Sequence, residues 1–306
     1  MTFEVLPVRF SFVAIDNIVF PPGKASNILR GAFGTIFQKS ACASHCRNAS
    51  TCDSRNSCVY ARIFETSHAG AGPSGLVDCP RPFVFRASHL DGRTIGPGEP
   101  FHFDLHLFIT TDPDVLSHFV RAFTELIGEG LGTPRGRAEL LSAAVLNKDH
   151  EIGQESRPLV ISLKPTVEPI RRMAIDFKTP TELKAEAGLV ASPDFSAVFA
   201  RARDRVATLR SLYGSGPLSI DFLSLGERAR NIKMARCNVK RVDVERRSSR
   251  TGQTHSLGGF IGEAEYEGDL NELYPFLKAA EWTGVGRQTV WGKGEILCKT
   301  LPSGKM

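Results

Sequence analysis

The amino-acid sequence predicts an α+β protein of two tandem ferredoxin-like, RRM-type domains, each an antiparallel sheet with helices on one face. Its 306 residues suffice for two domains of ordinary size. Glycine-rich turns at Gly128–Gly136 and Gly284–Gly294 each follow an apolar helical pattern and lead into a predicted strand, which indicates an internal duplication. Each half also has the order strand, helix, strands, helix, strand. We therefore expect a first domain over residues 1–150, with a cysteine-rich insertion, and a second over residues 157–306.

The first half opens on a predicted strand, because apolar and more polar residues alternate from Val8 to Ala14. Pro21-Pro22-Gly23 ends this strand. Apolar residues at helical spacing then predict a helix over about Ser26–Lys39, with Ser26 as its N-cap. The remaining predicted elements of this half are a strand over Phe101–Leu107, a helix over about Val115–Ile127 and a strand that ends at about Val145.

The second half begins after a polar stretch, Asn147–Pro158, which is the predicted linker. Ser192-Pro193 predicts a helix start, with the serine as N-cap and the proline in the first turn. Asp269-x-x-Glu272 resembles a capping box for a helix through Ala280, and Pro275 within it predicts a late start or a kink. The predicted extended segments of this half are Val160–Ile170, Ala174–Phe177, Cys237–Glu245, Gly258–Tyr266 and Thr289–Cys298.

Composition limits the classes of function. The formal net charge of +5 is compatible with nucleic-acid binding but is common in other proteins too. The sequence has neither a run of about 20 apolar residues nor a basic-then-apolar N-terminus, so we expect a soluble cytoplasmic protein. In that reducing compartment its 7 cysteines are expected to be thiols or metal ligands rather than disulfides.

The second glycine turn has the composition of a phosphate-binding loop, because glycines let the backbone approach a ligand and cations lie between them. A P-loop is disfavoured because five residues separate Gly286 from Gly292, and Gly294 stands where Ser or Thr is required. A dinucleotide fingerprint is disfavoured because Thr289 replaces its third glycine. Both motifs precede a helix, whereas this turn precedes a strand. A tight loop without a ligand and a loop packed against a polynucleotide backbone remain, and we favour the second.

The spacing G-x-G-x5-G-x-G over Gly284–Gly294 resembles the signature of the RAMP superfamily of CRISPR-associated proteins. More narrowly, it is similar to that of the precursor-crRNA processing endoribonucleases. The larger bacterial members of that family resemble this chain at three further segments: the first-helix motif at Leu29–Gly34, the cysteine cluster at Cys42–Glu65 and the stretch at Gly258–Leu270. The resemblance covers most of both halves.

The cysteine cluster consists of Cys42, Cys46, Cys52 and Cys58. Thiolates at such short separations can close on one ion, which predicts a structural zinc site, with Cys79 and His45 as substitute ligands. Buried free thiols and an iron–sulfur cluster are the alternatives. A metal here is expected to fix a loop rather than to take part in chemistry.

Basic residues are concentrated between Arg228 and Arg250, beside the second turn. Charge runs are often only solvated faces, but this one lies on strand-like sequence, so we predict contact with RNA phosphates. Trp282, Trp291 and Phe260 are suited to base stacking, although we expect them in the core. The predicted RNA-binding residues are Lys24, Arg135, Arg137, Arg236, Arg247, Arg250, Gly284, Gly286, Arg287, Gly292, Lys293 and Gly294.

The resemblance implies metal-independent cleavage of CRISPR repeat RNA, with no cofactor for catalysis. The ribose 2′-hydroxyl attacks the adjacent phosphorus and leaves a 2′,3′-cyclic phosphate, which requires in-line geometry, a general base and cations. In the family a catalytic histidine often follows the first helix, where His45 lies, with His68 as second choice. Some members use arginine or tyrosine instead, which makes Arg30, Tyr60 and Lys24 the further catalytic candidates.

The expected partners are precursor crRNA, as its repeat hairpin, and other subunits of a CRISPR effector complex; no membrane is expected. The alternative function is that of a non-catalytic RAMP subunit, which binds guide RNA as a scaffold. A metal-dependent enzyme centred on the cysteines is disfavoured, because the cluster lacks the glutamate and open site of zinc hydrolases and deaminases.

Overall fold

The computed structural model describes residues 1–42, 52–66, 79–112, 114–153, 157–185, 188–190, 192–247 and 254–302. Within these ranges, no helix is both long and apolar enough to cross a membrane.

The chain divides into two compact units, which we call the N-terminal and C-terminal units. The N-terminal unit comprises Glu4–Leu159 and Leu212–Gly214. The C-terminal unit comprises Met1–Phe3, Val160–Ser211 and Ser215–Met306.

The first half of the chain forms one main antiparallel sheet, in the order β3-β5-β1-β6, with β7 also paired to β1. Its central strand β1 is flanked on both sides, so that Phe10 lies opposite Phe103 on β5 and Ala143 on β6. The elements in chain order are β1 (Thr2–Ala14), β2 (Ile18–Val19), α1 (Ala25–Ala41), α2 (Val59–Ile63), β3 (Phe83–Arg86), a 3₁₀ turn (Ser88–Leu90), β4 (Thr94–Ile95), β5 (Pro100–Leu107), α3 (Val115–Thr124), α4 (Leu126–Glu129), β6 (Ala138–Val145) and β7 (Leu159–Ser162).

The second half forms a four-stranded antiparallel sheet in the order β11-β14-β8-β15. Two short hairpins, β9–β10 and β12–β13, accompany it. The elements in chain order are β8 (Arg172–Thr181), β9 (Lys184–Ala185), β10 (Gly188–Leu189), α5 (Phe195–Tyr213), α6 (Phe222–Arg230), β11 (Lys233–Val242), β12 (Glu245–Arg247), β13 (Thr254–Ser256), β14 (Gly259–Glu267), α7 (Tyr274–Thr283), a 3₁₀ turn (Thr289–Trp291) and β15 (Ile296–Thr300).

The two sheets have the same topology. The four main strands in chain order are β1, β3, β5 and β6 in the first half and β8, β11, β14 and β15 in the second. Across each sheet they lie in the order second, third, first, fourth. Between the first and second strands lies a long helix, α1 or α5, and another helical segment precedes the fourth strand. This is the connectivity of a ferredoxin-like unit, so the predicted tandem ferredoxin-like fold is confirmed.

The core of the N-terminal unit is aromatic. Phe10 and Phe12 on β1 stack on Phe103 of β5, with ring centroids 5.4 and 5.5 Å apart. Phe123 on α3 lies 5.0 Å from the ring of Phe103 and so joins the helical layer to the sheet. The alternation seen in the sequence therefore places these rings on the helix-covered face of the sheet.

Helices α1 and α5 begin at other residues than predicted, because other side chains cap their first turns. α1 begins at Ala25 rather than Ser26, because the carboxylate of Asp91 accepts a hydrogen bond from the Ala25 amide at 2.8 Å. α5 begins at Phe195, and Asp194 rather than Ser192 caps it by accepting from the amide of Ser196 at 3.0 Å. Asp91, which is distant in sequence, thus takes the place of Ser26 as the cap of α1, and Asp194 takes the place of Ser192 as the cap of α5.

Two predicted extended segments are shorter than expected. Val160–Ile170 is extended only to Ser162, because Pro165 and Pro169 cannot donate to a strand ladder. The final segment, predicted from Thr289, becomes a strand only at Ile296. Before it, Gln288 and Gly292 both adopt left-handed backbone conformations, with φ of 63° and 75°, which are incompatible with an extended strand. α7 starts at Tyr274 with Pro275 in its first turn, the late start that the proline predicts.

Candidate nucleic-acid interface

The two glycine turns begin with the same backbone geometry. Gly130 ends α4 with φ 66° and ψ 169°, and Gly284 ends α7 with φ 76° and ψ 169°. The second glycine of each turn, Gly132 or Gly286, also has a positive φ, of 70° or 83°. Only glycine adopts this pair of conformations without strain, so the duplication is visible residue by residue. We call Gly130–Arg137 the first turn and Gly284–Gly294 the second turn.

An apolar side chain fixes each turn from inside. Leu131 in the first turn and Val285 in the second are both fully buried. The amide of Leu131 donates to the carbonyl of Gly136 at 2.7 Å, and the amide of Val285 donates to that of Gly294 at 2.8 Å. Each turn is therefore closed by the same hydrogen bond between the apolar residue and the last glycine.

Two glycines of the second turn lie directly against the protein's own backbone. A side chain on Gly286 would overlap the carbonyl of Glu182, which directly follows β8. A side chain on Gly294 would overlap the carbonyl of Val285. Internal packing therefore requires glycine at these two positions, and a contact of the turn's glycines with RNA stays a prediction.

In each half a carboxylate just beyond the first strand pairs with an arginine of the turn. Arg137 donates from Nε to Oδ2 of Asp16 at 2.7 Å and from Nη2 to Oδ1 at 3.1 Å. Arg287 donates from Nη1 to Oε2 of Glu182 at 2.8 Å. The hydrogen bonds from Arg137 hold the pKa of Asp16 below its usual range.

The first turn carries a second ion-pair network. Glu129 accepts from Lys39 at 2.5 Å and from Arg135 at 3.2 Å. The hydrogen bond from Lys39 is the largest cause of the lowered pKa of Glu129. All three groups lie on the surface, so this network contributes little to stability.

The second turn exposes only its tip. Arg287 is exposed, whereas Gly284, Gly292 and Gly294 are buried. Lys293 is also buried, with 3% of its surface exposed, so an RNA contact at Lys293 stays a prediction. Gln288 donates from Nε2 to the carbonyl of Ser256 at 2.5 Å, which ties the tip to the hairpin β12–β13.

Strand β11 lies at one end of the C-terminal sheet and carries most of its cations. Nearly all of its residues are exposed, including Lys233, Arg236 and Lys240. The side chain of Arg236 is 67% exposed and contacts Glu265 on the neighbouring strand β14 at 3.4 Å. Register places Lys240 opposite Ile261 and Arg241 opposite Phe260. This strand therefore presents a row of exposed cations along one edge of the C-terminal sheet.

The hairpin β12–β13 continues the chain beyond β11. Its register pairs Arg246 with His255 and Arg247 with Thr254. Arg250, the last residue of the predicted basic run in the sequence, lies outside the described residues. The backbone therefore places Arg247 on a ribbon whose base is bonded to the second turn through Ser256.

The catalytic candidates lie around α1. The guanidinium carbon of Arg30 is 4.5 Å from the centroid of the Phe64 ring, and the Tyr60 ring stacks on the same phenylalanine at 5.3 Å. Tyr60 is buried, and its hydroxyl donates to Glu65 at 3.5 Å. Lys24 is half-buried at the N-terminus of α1. His45 lies outside the described residues, as does His68, so the catalytic roles of all these residues stay predictions.

The described cysteines of the predicted metal cluster do not form a ligand set. Cys42, Cys52 and Cys58 are half-buried thiols. Among the described residues, no group of three or more histidine, cysteine, aspartate or glutamate side chains is arranged to hold a metal. Cys46 lies outside those residues, so a structural zinc ion that includes it stays a prediction.

Sequence reasoning missed Glu182, Asp16 and Gln288. The two carboxylates follow the first strand of their halves, Glu182 one residue after Thr181 and Asp16 two residues after Ala14, and this shared placement is the signal that the sequence offers for them. Gln288 had no such signal, because its bond to Ser256 depends on tertiary structure.

Of the aromatic residues considered for base stacking, Trp282 and Phe260 are buried in the core, and Trp291 is half-buried.

Comparison with known proteins agrees with this architecture. Cas6 of Thermus thermophilus has 15% sequence identity and a TM-score of 0.55, over 97% of this chain and 98% of its own. A Cas6 product complex has 16% identity and a TM-score of 0.58, over 97% of this chain and 99% of its own. A partial Cas6-RT-Cas1–Cas2 complex has 11% identity and a TM-score of 0.58, over 99% of this chain and 47% of its own. These structures show that the fold is shared.

The family comparison is more specific. No curated protein matches the chain significantly. Residues 3–166 match the AF_1859_N family of N-terminal domains. Residues 175–296, which include the second turn, match the family described as CRISPR-associated endoribonuclease Cas6. The chain therefore carries an AF_1859_N N-terminal domain, followed over residues 175–296 by a domain that matches the CRISPR-associated endoribonuclease Cas6 family.

Proposed function

We propose that this protein binds the stem-loop of CRISPR repeat RNA and cleaves it without a metal ion, releasing mature crRNA. Family membership supports RNA cleavage in general. The match of residues 175–296 to the Cas6 family carries the assignment to CRISPR repeat RNA. The bond between Gln288 and Ser256 supports the placement of the RNA, because it joins the second turn to the hairpin β12–β13 and its arginines. A ribbon and a turn anchored together offer one continuous surface to a polyanion.

The RNA contacts are assigned by exposure and charge. Arg287 at the tip of the second turn and Arg236 on β11 have side chains that are 56% and 67% exposed. Lys240 lies further along β11, toward the hairpin that carries Arg247. We infer that these cations follow the phosphate backbone of one RNA strand. Arg135 and Arg137 of the first turn are the further proposed contacts, and, like Arg287 and Arg236, each is paired with a carboxylate.

The proposed reaction is an internal transesterification. The ribose 2′-oxygen forms a bond to the adjacent phosphorus while the bond to the 5′-oxygen breaks. A base removes the proton from the 2′-hydroxyl, and an acid protonates the departing 5′-oxygen, so the products are a 2′,3′-cyclic phosphate and a 5′-hydroxyl. No water or redox partner is consumed. We assign the base to His45, and retain Arg30 and Tyr60 as candidates for stabilising charge on the phosphorane.

The test is cleavage of a repeat RNA by the purified full chain in the presence of EDTA. We expect a 3′ fragment with a 5′-hydroxyl and a 5′ fragment that resists phosphatase until its cyclic phosphate is opened. A matched RNA with a single 2′-deoxyribose at the cleaved position must bind equally and remain intact. Cleavage that requires added Mg²⁺, or that proceeds on the deoxy-substituted RNA, would contradict the mechanism.

Tight binding without any cleavage would instead support a non-catalytic scaffold in a CRISPR effector complex. Either function places the protein in the cytoplasm, with precursor or mature crRNA and other CRISPR subunits as partners. We also propose that any zinc bound by the cysteine cluster is structural, so that EDTA lowers stability without changing the chemistry of the cleavage step.

A further inference from the structure

We propose that Glu182 is a positioning residue that orients Arg287 toward the RNA backbone. The proposal rests on the proposed function and adds to it a residue that makes no RNA contact itself. Its basis is the way in which one residue holds both the backbone and the side chain of the turn's exposed arginine.

Glu182 contacts the second turn twice. Its carbonyl accepts a hydrogen bond from the amide of Arg287 at 3.0 Å. Its carboxylate accepts from Nη1 of the same arginine at 2.8 Å. The preceding glycine, Gly286, leaves no room for a side chain against the Glu182 carbonyl, so the turn is pressed directly onto this residue. Both ends of Arg287 are thus fixed relative to β8.

Burial differs sharply between the two partners. The side chain of Glu182 is 9% exposed and that of Arg287 is 56% exposed. A buried carboxylate that contacts a single guanidinium nitrogen costs desolvation without the geometry of a bidentate pair. Such a pair contributes little to the stability of the fold. It does hold the guanidinium of Arg287 in place, and the Nε–Nη2 edge of that guanidinium takes no part in the contact with Glu182.

The arginine–carboxylate pair of the first turn is built differently, and its arginine follows the last glycine of that turn, whereas Arg287 follows the second glycine of its own. There Asp16 occupies the Nε–Nη2 edge of Arg137 with both of its oxygens, and both side chains are exposed, by 41% and 51%. This edge is the fork that matches a phosphate. The first turn thus uses its arginine fork internally, whereas the second turn holds its arginine by the other nitrogen.

The experiment measures equilibrium binding of the full chain to a repeat RNA carrying a 2′-deoxyribose at the cleaved position. The variants are E182A, E182Q, E182D, R287A, the double variant E182A/R287A and, as the matched variant from the first turn, D16A. Melting temperatures are recorded for each. If the wild type binds no repeat RNA, the proposed function itself fails, which is distinct from any outcome among the variants.

We expect E182A to weaken RNA binding about 10-fold, because a misdirected cation loses most of its charge-assisted hydrogen bonding. E182Q keeps an acceptor of the same length and should stay within about 3-fold of wild type, whereas E182D, which keeps the charge but is shorter, should be weaker than E182Q. The double variant should bind no more weakly than R287A. D16A should not weaken binding, because it releases the fork of Arg137.

Three results would overturn the proposal. If Glu182 only offsets the charge of Arg287, E182A and E182Q would both bind RNA more tightly than wild type. If Glu182 is merely structural, E182A would weaken binding as much in the R287A background as in the wild type, in step with a lowered melting temperature. If R287A binds as tightly as wild type, there is no contact to position. E182D decides the question between charge and geometry should E182A fail to fold.

Discussion

The rings of Phe33 and Phe119 stack face to face, with centroids 4.1 Å apart and planes inclined by 5°. Phe33 lies on α1 and Phe119 on α3, and both are fully buried. This pair joins the two helices that cover the N-terminal sheet. It therefore couples the packing of α1, which carries Arg30, to the core of its unit.

Truncation of this stack should be costly. Phe33→Ala is expected to lower the free energy of unfolding by about 3–5 kcal/mol, because the large cavity cannot collapse fully. Phe33→Leu and Phe119→Leu, measured singly and together, should show a coupling of about 0.5–1.5 kcal/mol beyond the loss of buried area. Strictly additive losses in urea unfolding would argue against a specific ring–ring term.

Two glycines on α1, three residues apart, should respond oppositely to alanine. A side chain on Gly34 would overlap the ring of Phe64, whereas one on Gly31 meets no atom within 4 Å. Gly34→Ala should destabilise by about 1–3 kcal/mol through overpacking. Gly31→Ala should stabilise by about 0.5–1 kcal/mol through helix propensity. Thermal unfolding of both variants checks the pair, and equal shifts would contradict the packing of Phe64 on α1.

The second turn should tolerate no side chain at its last glycine. Gly294 has φ 67°, and an added side chain would overlap the carbonyl of Val285. Gly216 has φ 90° in the same unit, with open space around it. Gly216→Ala should therefore cost only the conformational penalty, about 1–2 kcal/mol, and Gly294→Ala should cost more. Chemical denaturation that ranks the two variants the other way would contradict the closed form of the turn.

Stability should fall on acidification through His102. Burial, followed by repulsion from His89 and Arg9, lowers the pKa of His102 from 6.5, and Asp104 opposes the shift. A histidine with a depressed folded-state pKa binds fewer protons than in the unfolded chain, so its contribution is complete above 6.5 and is lost as the pH falls toward the folded pKa.

The measurement is the melting temperature of wild type and His102→Gln at about pH 7.5 and about pH 5.5, on either side of the ordinary histidine pKa. The wild type should lose more stability than the variant over this interval. Identical losses in the two proteins would show that His102 titrates as in the unfolded chain.

Salt dependence should separate the two edges of the C-terminal sheet. Lys240→Gln on β11 should reduce the slope of log Kd against log salt by about 0.7–0.9, the value for one phosphate contact. Lys299 is equally exposed on β15, at the opposite end of the sheet, and its Gln variant should leave the slope unchanged. Equal effects of the two substitutions would indicate attraction by net charge rather than by a surface along β11.

Periodicity was sufficient to predict the fold. The main strands and helices appear close to their predicted places because each has a strong apolar period, as in Val8–Ala14 and Val115–Ile127. The helix starts were less predictable, since Asp91 caps α1 from 66 positions away in the sequence. The final strand was predicted too early because a composition rich in Thr, Val and Trp does not reveal the left-handed conformation of Gln288.

The site was predicted less completely than the fold. The sequence predicts that Arg287 and the glycines contact RNA, which stays a prediction, but it does not reveal that the carbonyls of Glu182 and Val285 lie against Gly286 and Gly294. Partners that meet only through tertiary structure have no local pattern to reveal them. The buried position of Lys293 has the same origin, since a lysine between two glycines gives no sign of burial.

Strand β11 also bears on how the protein avoids self-association. A strand at the end of a sheet is a template for another chain, and lysine and arginine along it deter such pairing. We therefore expect the cations assigned to RNA to prevent pairing of β11 with another chain when RNA is absent. Variants that neutralise several of these cations at once should aggregate as well as lose affinity for RNA. Light scattering must therefore accompany any such binding measurement. If RNA or short polyanions restore solubility, the same charges both bind RNA and prevent association between copies of the chain.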